Sequence, residues 1–446
     1  MNKVKRRAVL ILILAVVMAL GLASLLLLLE DQGADWAAFP SNSHVYREGM
    51  LIAGRVRDSH GELLLATKDG ERVYSADRRT RLATLHATGD PWGMIGGSAI
   101  DLFSKHLMGY SLVNGVYSLS GQGRDVYLSV DAELNRKAWD ALNGRSGCVA
   151  VINYQTGELI CMVSSPSFDP QNPPEHPDYL NRFLTGLYTP GSIFKLVTSF
   201  AALEELPQLA DYRYTCSGAA DYEDGRITCE QAHGELSFDD ALAVSCNCCF
   251  ADLAQRLGGA TLEKYAQKAG LMEPLIINGF TTVSGGMAAP QSGADLGWAA
   301  AGQYHDQICP AAMLRFVAAI ANGGKAENPW LLKKVTTSGG IPLRFHLGNE
   351  SRRLMSGDTA AALKEMMAYN VRANYGVDNF PGLPVCAKSG TAEVEVGRAP
   401  HAWFTGFLNS DEHPYAFIVL VENGGTGKTV AGSIANTVLQ AAVAAD

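Results

Sequence analysis

A serine and a lysine three residues apart form the first candidate catalytic pair in the chain. Ser192 follows a Pro-Gly turn and begins an apolar helical pattern, and Lys195 lies about one helical turn further on. Side chains at positions i and i+3 share one face of a helix. A serine hydroxyl is a weak nucleophile, which an adjacent neutral amine can activate by accepting its proton. On its own, the pair is better explained as a helix N-cap serine and a surface lysine, because this spacing occurs by chance in many proteins.

Two later motifs could supply the remaining groups of such a site. Ser245-Cys-Asn247 offers a hydroxyl that could relay a proton and an amide that could bind a substrate backbone. Because Ser and Asn are poor helix formers, this triplet inside an apolar pattern predicts a helix break or an inward-facing polar site. Lys388-Ser-Gly-Thr391 ends a strand-like run. Its lysine could hold a carboxylate, its hydroxyls could add hydrogen bonds, and its glycine permits close approach of a ligand.

The three motifs together are much more specific than any one of them. Their order is that of the S-x-x-K, S-x-N and K-[ST]-G set, with intervals of 53 and 143 residues. The chain therefore resembles penicillin-binding proteins and serine β-lactamases, and in particular the class B-like monofunctional D,D-transpeptidases. Further segments carry the resemblance across about residues 50–446, namely Arg55–Gly61, Gly123–Asp131, Ser164–Pro170, Asn181–Lys195, Ala387–Glu393 and His401–Phe407.

This resemblance implies a reaction and assigns a role to each motif residue. A D-alanyl-D-alanine stem peptide of peptidoglycan, or a β-lactam antibiotic in its place, would acylate the serine, and no cofactor or metal is expected. Backbone N–H groups of the nucleophile and of the last motif residue would form the oxyanion hole. The implied roles are nucleophile for Ser192, base for Lys195, proton relay for Ser245, amide binding for Asn247, and substrate contact for Lys388, Ser389, Gly390 and Thr391.

Two other functions stay open at this point. A β-lactam-hydrolysing enzyme or a D,D-carboxypeptidase would use the same motifs but would pass the acyl group to water. The chain has no class A S-D-N motif and no assignable acidic loop. A catalytically inactive scaffold of cell-wall assembly is the second alternative, against which three intact motifs argue. A glycosyltransferase domain would not fit before residue 146, so the resemblance implies a separate, membrane-embedded glycan polymerase as partner.

The N-terminal segment predicts a single membrane anchor. Residues 8–29 are apolar and uncharged, and as a helix they span roughly 33 Å, enough for a bilayer core of about 30 Å. Four cations precede this run, and Glu30 and Asp31 follow it. The positive-inside rule then places residues 1–7 in the cytoplasm and the catalytic part outside. Apart from these four cations the chain has no cluster of Lys and Arg, and with a formal net charge of −9 this argues against nucleic-acid binding.

Hydrophobic periodicity divides the rest of the chain into two units. Residues 30–145 are interpreted as a stalk and a small β-rich pedestal, and residues 146–446 as the transpeptidase domain. Strands at both ends of this domain and helices between them predict an α/β fold with a helical lobe. The resemblance implies that the strands form an antiparallel sheet flanked by helices, as in penicillin-binding and β-lactamase-like domains. The predicted strands lie near 147–153, 158–163, 385–391, 402–408 and 415–421, and the predicted helices near 132–142, 192–205, 238–257, 261–270, 309–321, 358–370 and from 431.

The cysteines are the next feature of the sequence that could carry chemistry. Of nine cysteines, Cys216 and Cys229 lie 13 residues apart in a loop-like stretch and are the best candidates for a disulfide, and the sequence leaves open whether they pair. Cysteines 246, 248 and 249 lack the paired spacing of zinc ligands and have no histidine nearby, so we interpret them as packed or free thiols.

Residues 424–429 resemble a phosphate-binding P-loop. Glu422 stands where that motif needs its first glycine, so nucleotide binding is not predicted.

Overall fold

The structure is a computed structural model of the chain, and it describes residues 2–39, 46–47, 50–51, 53–68, 71–110, 123–207, 209–348, 350–394 and 397–445. Within these residues the helices are α1 (Asn2–Ala37), α2 (Arg78–Thr88), α3 (Ala99–Leu102), α4 (Ser104–Leu107), α5 (Ala132–Leu142), α6 (Arg182–Thr185), α7 (Lys195–Glu205), α8 (Phe238–Ala243), α9 (Asn247–Leu257), α10 (Gly259–Lys268), α11 (Gly293–Ala300), α12 (Pro310–Ala321), α13 (Gly357–Asn370) and α14 (Gly432–Ala445).

The strands of the same residues are β1 (Tyr46–Arg47), β2 (Met50–Leu51), β3 (Arg55–Arg57), β4 (Leu63–Lys68), β5 (Glu71–Tyr74), β6 (Arg124–Leu128), β7 (Gly147–Asn153), β8 (Leu159–Ser165), β9 (Arg213–Cys216), β10 (Ala219–Tyr222), β11 (Gly225–Thr228), β12 (Gly234–Ser237), β13 (Ile276–Ile277), β14 (Phe280–Thr281), β15 (Lys325–Glu327), β16 (Leu332–Thr337), β17 (Pro342–Phe345), β18 (Ser351–Arg353), β19 (Val385–Ala392), β20 (His401–Leu408) and β21 (Tyr415–Val421).

Five antiparallel strands form the sheet that carries the candidate site. Their order is β19-β20-β21-β7-β8, so strands from both ends of the domain meet as predicted. Side chains alternate between the two faces with the period of a strand. On β7, Val149 and Val151 pack toward α5 and α14, whereas Ala150 and Ile152 pack toward the helices between β8 and β19. Strand β19 lies at an edge of this sheet, so within the described part of the chain one side of its backbone has no neighbouring strand.

The helices between β8 and β19 form the expected helical lobe. At its centre lies α12, in which every residue from Pro310 to Ala321 is buried, and it packs against β20, β21 and α13. The helix predicted over 238–257 is instead two helices, α8 and α9, separated at residues 244–246. The break falls on the Ser-Cys-Asn triplet, in agreement with the helix-break interpretation of that motif.

A second, six-stranded sheet forms the pedestal, with the order β17-β16-β6-β3-β4-β5. Strands β16 and β17 come from residues 332–345, so this sheet crosses the boundary expected at residues 145/146. Asp125 on β6 accepts hydrogen bonds from Arg55 at 2.6 Å and from Arg57 at 2.9 Å. The segments Arg55–Gly61 and Gly123–Asp131, which both carry the family resemblance, therefore meet here. Their ion pairs join two strands of the pedestal sheet.

The N-terminal helix α1 is the one helix among the described residues that is long and apolar enough to cross a membrane. Its apolar side chains are exposed along residues 8–28. The helix continues to Ala37, which is buried against the pedestal, and Asp35 forms an ion pair of 3.1 Å with Lys105. The first part of the expected stalk, residues 30–37, is therefore helical, whereas its residues 40–45 lie outside the described residues.

Candidate active site

The Pro-Gly turn places the first motif directly beside β19. Gly191 has a φ of +56°, a conformation that favours glycine, and a Cβ at this position would lie 2.9 Å from the carbonyl oxygen of Thr391. Residues Gly191–Phe194 form a 3₁₀ turn, and α7 begins at Lys195. Ser192 thus lies in this turn rather than in the first turn of a regular α-helix. The turn still brings Lys195 Nζ to 3.1 Å from Ser192 Oγ, as the spacing predicted.

Lys195 lies at the centre of the site, and its side chain is fully buried. Its Nζ is 2.8 Å from the carbonyl oxygen of Ser245 and 2.7 Å from Oδ1 of Asn247, and both of these atoms can only accept hydrogen bonds. The hydroxyls of Ser192 and Ser245 each lie at 3.1 Å. A neutral amine has two N–H groups for the two acceptors, which leaves its lone pair for a hydroxyl proton.

Burial lowers the pKa of Lys195 to about 8, and nearby cysteine sulfurs only partly offset this effect. An amine with this pKa is neutral in an appreciable fraction of molecules near neutral pH. A general base is most effective when its pKa lies near the working pH. The electrostatic environment of Lys195 therefore fits a base that removes the proton of Ser192.

The second motif occupies the break between α8 and α9. Ser245 has a φ of +56°, which is uncommon for a residue with a side chain and is typical of positions held by function. Its Oγ lies between two amines, 3.1 Å from Lys195 Nζ and 3.0 Å from Lys388 Nζ. Asn247 begins α9, and its Nδ2 donates a hydrogen bond of 2.8 Å to the carbonyl oxygen of Thr228.

The third motif lies on the edge strand β19. Lys388 is fully buried, and its Nζ donates to Ser245 Oγ and, at 2.9 Å, to the carbonyl oxygen of Ser389. Burial, and then the charge of Lys195, lowers the pKa of Lys388 well below its usual value. The Ser389 and Thr391 side chains are half-buried, so they remain accessible to a ligand. At Gly390, a Cβ would meet the carbonyl oxygen of Pro190 at 3.0 Å, so glycine permits the contact between the first and third motifs.

Three residues that the sequence did not identify hold this strand in place. Tyr375, just after α13, accepts the Ser389 backbone N–H at 2.6 Å and has its hydroxyl 2.9 Å from Ser389 Oγ. Asn370 donates to the Tyr375 hydroxyl at 3.0 Å and to the carbonyl oxygen of Ala387 at 2.9 Å. Gln303 donates to the Thr391 carbonyl oxygen at 2.9 Å. No motif or periodicity pointed to these side chains, because each reaches β19 from a different element of the fold.

The segment that resembles a P-loop packs onto the third motif. The Gly427 N–H donates to Thr391 Oγ1 at 3.3 Å, and a Cβ at Gly427 would collide with the carbonyl oxygens of Gly390 and Trp403. Its glycines thus serve close packing on the sheet. Glu422, the residue that broke the P-loop pattern, accepts a hydrogen bond of 2.6 Å from Arg182 behind the site.

The candidate disulfide between Cys216 and Cys229 is not formed in this structure. Their sulfurs lie 3.8 Å apart, whereas a disulfide bond measures about 2.05 Å, and all nine cysteines are free thiols. The premise that no histidine is near the cysteine cluster is wrong. His233 comes together with Cys216, Cys229 and Cys246, and one potential ligand atom from each of these four residues lies within 4.8 Å of the others.

Comparisons with known proteins show the family to which the chain belongs. The family model "Penicillin binding protein transpeptidase domain" matches residues 147–440. The peptidoglycan D,D-transpeptidase PbpA of Mycobacterium tuberculosis is 28% identical over 377 residues, which cover 76% of each chain. Stage V sporulation protein D of Bacillus subtilis is 28% identical over 357 residues, which cover 73% of this chain and 54% of that protein.

Solved structures show the same fold. The crystal structure of PBPA from M. tuberculosis superposes with a TM-score of 0.76 at 25% identity, covering 88% of this chain and 99% of that one. Its ceftriaxone acyl-enzyme complex gives a TM-score of 0.77 at 24% identity, covering 88% and 98%. The predicted fold class is therefore confirmed. With a family model that matches well over half of its length, this chain belongs to the penicillin-binding protein transpeptidase family.

Proposed function

We propose that the chain is a serine D,D-transpeptidase that cross-links peptidoglycan stem peptides through an acyl-enzyme on Ser192. The observation that carries this proposal is the environment of Lys195, a fully buried amine 3.1 Å from the Ser192 hydroxyl. Its two acceptor contacts leave the amine lone pair for that hydroxyl. The names of the relatives support the same activity, because PbpA is a peptidoglycan D,D-transpeptidase.

In the first half-reaction, Ser192 Oγ attacks the carbonyl carbon of the penultimate D-Ala. The hydroxyl proton moves to Lys195 Nζ as the new C–O bond forms. When the C–N bond to the terminal D-Ala breaks, the leaving nitrogen receives a proton through Ser245, whose Oγ lies within 3.1 Å of both lysine amines. In the second half-reaction, an amine of another stem peptide attacks the ester, and its proton returns to Ser192 as the new peptide bond forms.

The substrate is proposed to bind along the free side of β19 as an additional strand. The half-buried hydroxyls of Ser389 and Thr391 would receive its carboxylate, and Gly390 leaves room for its backbone. Asn247 Nδ2 carries two N–H groups, of which one bonds to Thr228, so the other can donate to the substrate amide. Lys388 would act from behind this surface by holding Ser245.

The oxyanion hole is proposed to consist of the backbone N–H groups of Ser192 and Thr391. The 3₁₀ turn and the edge strand hold these two residues next to each other, since the Gly191 backbone packs on the Thr391 carbonyl. Individual donors of this kind are typically worth about 3–4 kcal/mol of transition-state stabilisation.

Hydrolysis of the acyl-enzyme, as in a β-lactamase, is the second candidate. A fast hydrolase needs a group that positions and activates water. Among the described residues, no carboxylate forms a hydrogen bond or ion pair with Ser192, Lys195, Ser245 or Lys388. This arrangement favours transfer to an amine over transfer to water.

The test is covalent labelling with a fluorescent penicillin, followed by mass spectrometry of the labelled peptide. We expect a stable adduct on Ser192 and none in Ser192→Ala. Ser199→Ala is the matched control, because Ser199 lies on the same helix, α7, with a buried hydroxyl that has no hydrogen-bond partner among the described residues. Loss of the adduct within minutes would favour the hydrolase, and labelling of Ser192→Ala would refute the nucleophile.

We propose the same arrangement in the membrane as the sequence predicts. Residues 1–7 form a cytoplasmic tail, residues 8–29 the anchor, residues 30–145 the stalk and pedestal, and residues 146–446 an extracytoplasmic transpeptidase domain. The fully exposed apolar surface of α1 supports a single-pass anchor. Protease added outside intact cells should digest the folded domain and spare an N-terminal epitope tag; the reverse pattern would contradict this orientation.

A membrane-embedded glycan polymerase is the proposed protein partner. The family model that matches residues 147–440 is a transpeptidase domain, and a transpeptidase needs a polymerase to make the glycan strands whose peptides it cross-links. A related protein, PBP2 of Helicobacter pylori, has been solved in complex with MreC at a TM-score of 0.63 and 21% identity. Crosslinking in native membranes, with photoreactive residues on the pedestal, should capture a polytopic protein; capture of none would oppose this partner.

A further inference from the structure

Three thiols and one imidazole converge on one point beside the second motif. Cys216 ends β9, Cys229 follows β11, His233 precedes β12, and Cys246 is the N-cap of α9. One potential ligand atom from each lies within 4.8 Å of the other three. The four residues come from separate elements, which is why their spacing in the sequence does not follow a zinc-ligand pattern.

The separations between the sulfurs fit one tetrahedral metal ion. With Zn–S bonds of about 2.3 Å, two sulfurs on a tetrahedral zinc are about 3.8 Å apart. Cys229 Sγ lies 3.8 Å from Cys216 Sγ and 3.7 Å from Cys246 Sγ. A fifth residue, Cys248, has its sulfur 3.5 Å from Cys229. These separations are too long for a disulfide bond. A disulfide also joins only two sulfurs, whereas three sulfurs of the cluster surround one point.

Independent features of the cluster also indicate a cation. His233 Nδ1 is buried and has no hydrogen-bond partner among the described residues, a costly arrangement that a ligand would remove. Backbone N–H groups of Cys248 and Cys249 donate to the sulfurs of Cys229 and Cys246, at 3.5 and 3.4 Å. Such donors at the N-terminus of a helix stabilise thiolates and orient them as metal ligands.

From this geometry we infer that Cys216, Cys229, His233 and Cys246 bind one structural Zn²⁺. Thiolate and imidazole ligands in a tetrahedral set suit zinc better than hard cations such as Mg²⁺ or Ca²⁺. The protein supplies all four ligands of the metal, so no coordination position is left for a substrate or water. Such a site is structural rather than catalytic. Binding requires the three thiols to lose their protons to solvent.

The metal would fix the second motif from behind. It ties the β9–β12 and β10–β11 ribbons to the start of α9, where Cys246 lies between Ser245 and Asn247. The hydrogen bond from Asn247 to the Thr228 carbonyl lies one residue from Cys229, so zinc would hold both ends of this contact. The inference does not depend on the proposed reaction, because metal content is measured without it.

The first test uses the full chain, purified in detergent without a histidine tag. Elemental analysis should find about one zinc per chain. Mass spectrometry after alkylation should show Cys216, Cys229 and Cys246 protected until a strong chelator is added. Cys161 is a buried thiol outside the cluster, and its protection should not change with the chelator. Absence of metal, alkylation without chelator, or a Cys216–Cys229 disulfide would overturn the inference.

Variants then identify the ligands. Cys216→Ser, Cys229→Ser and His233→Ala should each lose most of the zinc. Cys309→Ser is the matched control, because Cys309 is buried elsewhere and a hydroxyl can keep its contacts to the carbonyl oxygens of Phe183 and Leu184. Full zinc in Cys229→Ser would overturn the site. If His233→Ala keeps zinc and Cys248→Ser loses it, the assignment of His233 is wrong. Should a variant fail to fold, the wild-type alkylation result still decides.

Discussion

Lys195 and Lys388 contact the same hydroxyl from two sides, with Ser245 Oγ 3.1 Å from one amine and 3.0 Å from the other. Both lysines are fully buried, so desolvation opposes the charged form of each. The charge of Lys195 also raises the cost of charging Lys388. The proton held by this pair can therefore move through Ser245, and one amine can be neutral while the other is charged.

This arrangement predicts that Lys195→Arg abolishes acylation. A guanidinium keeps the positive charge but cannot act as a base near neutral pH. Loss of a general base typically costs about 10²–10⁴-fold in rate. In the wild type, the rate of penicillin labelling should rise with pH and level off above about 8, where Lys195 is neutral. Stopped-flow labelling between pH 5 and 10 measures both effects.

Lys264→Arg provides the control for this substitution, because Lys264 is an exposed lysine on α10 that pairs with Glu205. Its labelling rate should equal that of the wild type. Thermal melting of Lys195→Arg must show a folded protein for the comparison to count. A folded variant that labels within about threefold of the wild-type rate would show that another group removes the proton.

Tyr375 should contribute to both stability and substrate binding. Its hydroxyl accepts the Ser389 backbone N–H at 2.6 Å and receives a bond from Asn370. Tyr375→Phe leaves a buried donor unsatisfied, which costs about 1–3 kcal/mol of unfolding free energy. Because Ser389 loses its support, the second-order rate constant of acylation should fall by about three- to tenfold, mainly through weaker binding.

Tyr179→Phe is a matched control for this prediction. The Tyr179 side chain is half-buried, and its hydroxyl forms no hydrogen bond within the described part of the chain. Melting temperature and acylation rate should both stay at wild-type values in this variant. If Tyr375→Phe also leaves both quantities unchanged, the contact between Tyr375 and Ser389 does not support the third motif.

The sequence predicted the sheet well because its strands carry a strong local signal. The runs at 147–153 and 415–421 are apolar and rich in β-branched residues, and β7 and β21 have these bounds. The motif residues were also predicted to share a site, and Ser192, Lys195, Ser245, Asn247 and Lys388 do meet within hydrogen-bond distance. The order and residue types of the three short motifs were enough to predict that these side chains lie in one site.

Features that depend on distant pairing could not be predicted. Strands β16 and β17 join the pedestal sheet from residues 332–345, and no local pattern assigns a strand to one sheet rather than another. Tyr375 reaches Ser389 only because the chain turns back after α13. His233 meets the cysteines through two separate ribbons, so the spacing of these four residues along the sequence does not follow a metal-ligand pattern.

The loop beside the third motif contains a buried carboxyl group that should make stability depend on pH. Asp306 is 1% exposed, and neither carboxyl oxygen has a hydrogen-bond partner within the described residues. Burial raises the pKa of Asp306 to about 7. Folding raises the pKa of Asp306, so the folded state binds the proton of this carboxyl group more tightly than the unfolded state does. The resulting stabilisation of the folded state is complete below the unfolded pKa, which is near 4. The free energy of unfolding then decreases as the pH rises from about 4 to 7.

Asp306→Asn should remove this dependence, because an amide of the same shape carries no charge. We expect the stability advantage of the variant over the wild type to grow from pH 4.5 upward and to reach about 1–3 kcal/mol near pH 8, up to the limit of 1.4 kcal/mol per pKa unit. Melting temperatures in detergent from pH 4.5 to 8.5 measure the difference. Asp378→Asn, at an exposed position, should follow the wild-type curve throughout. A difference between Asp306→Asn and the wild type that stays constant with pH would mean that Asp306 is charged in the folded protein across this range.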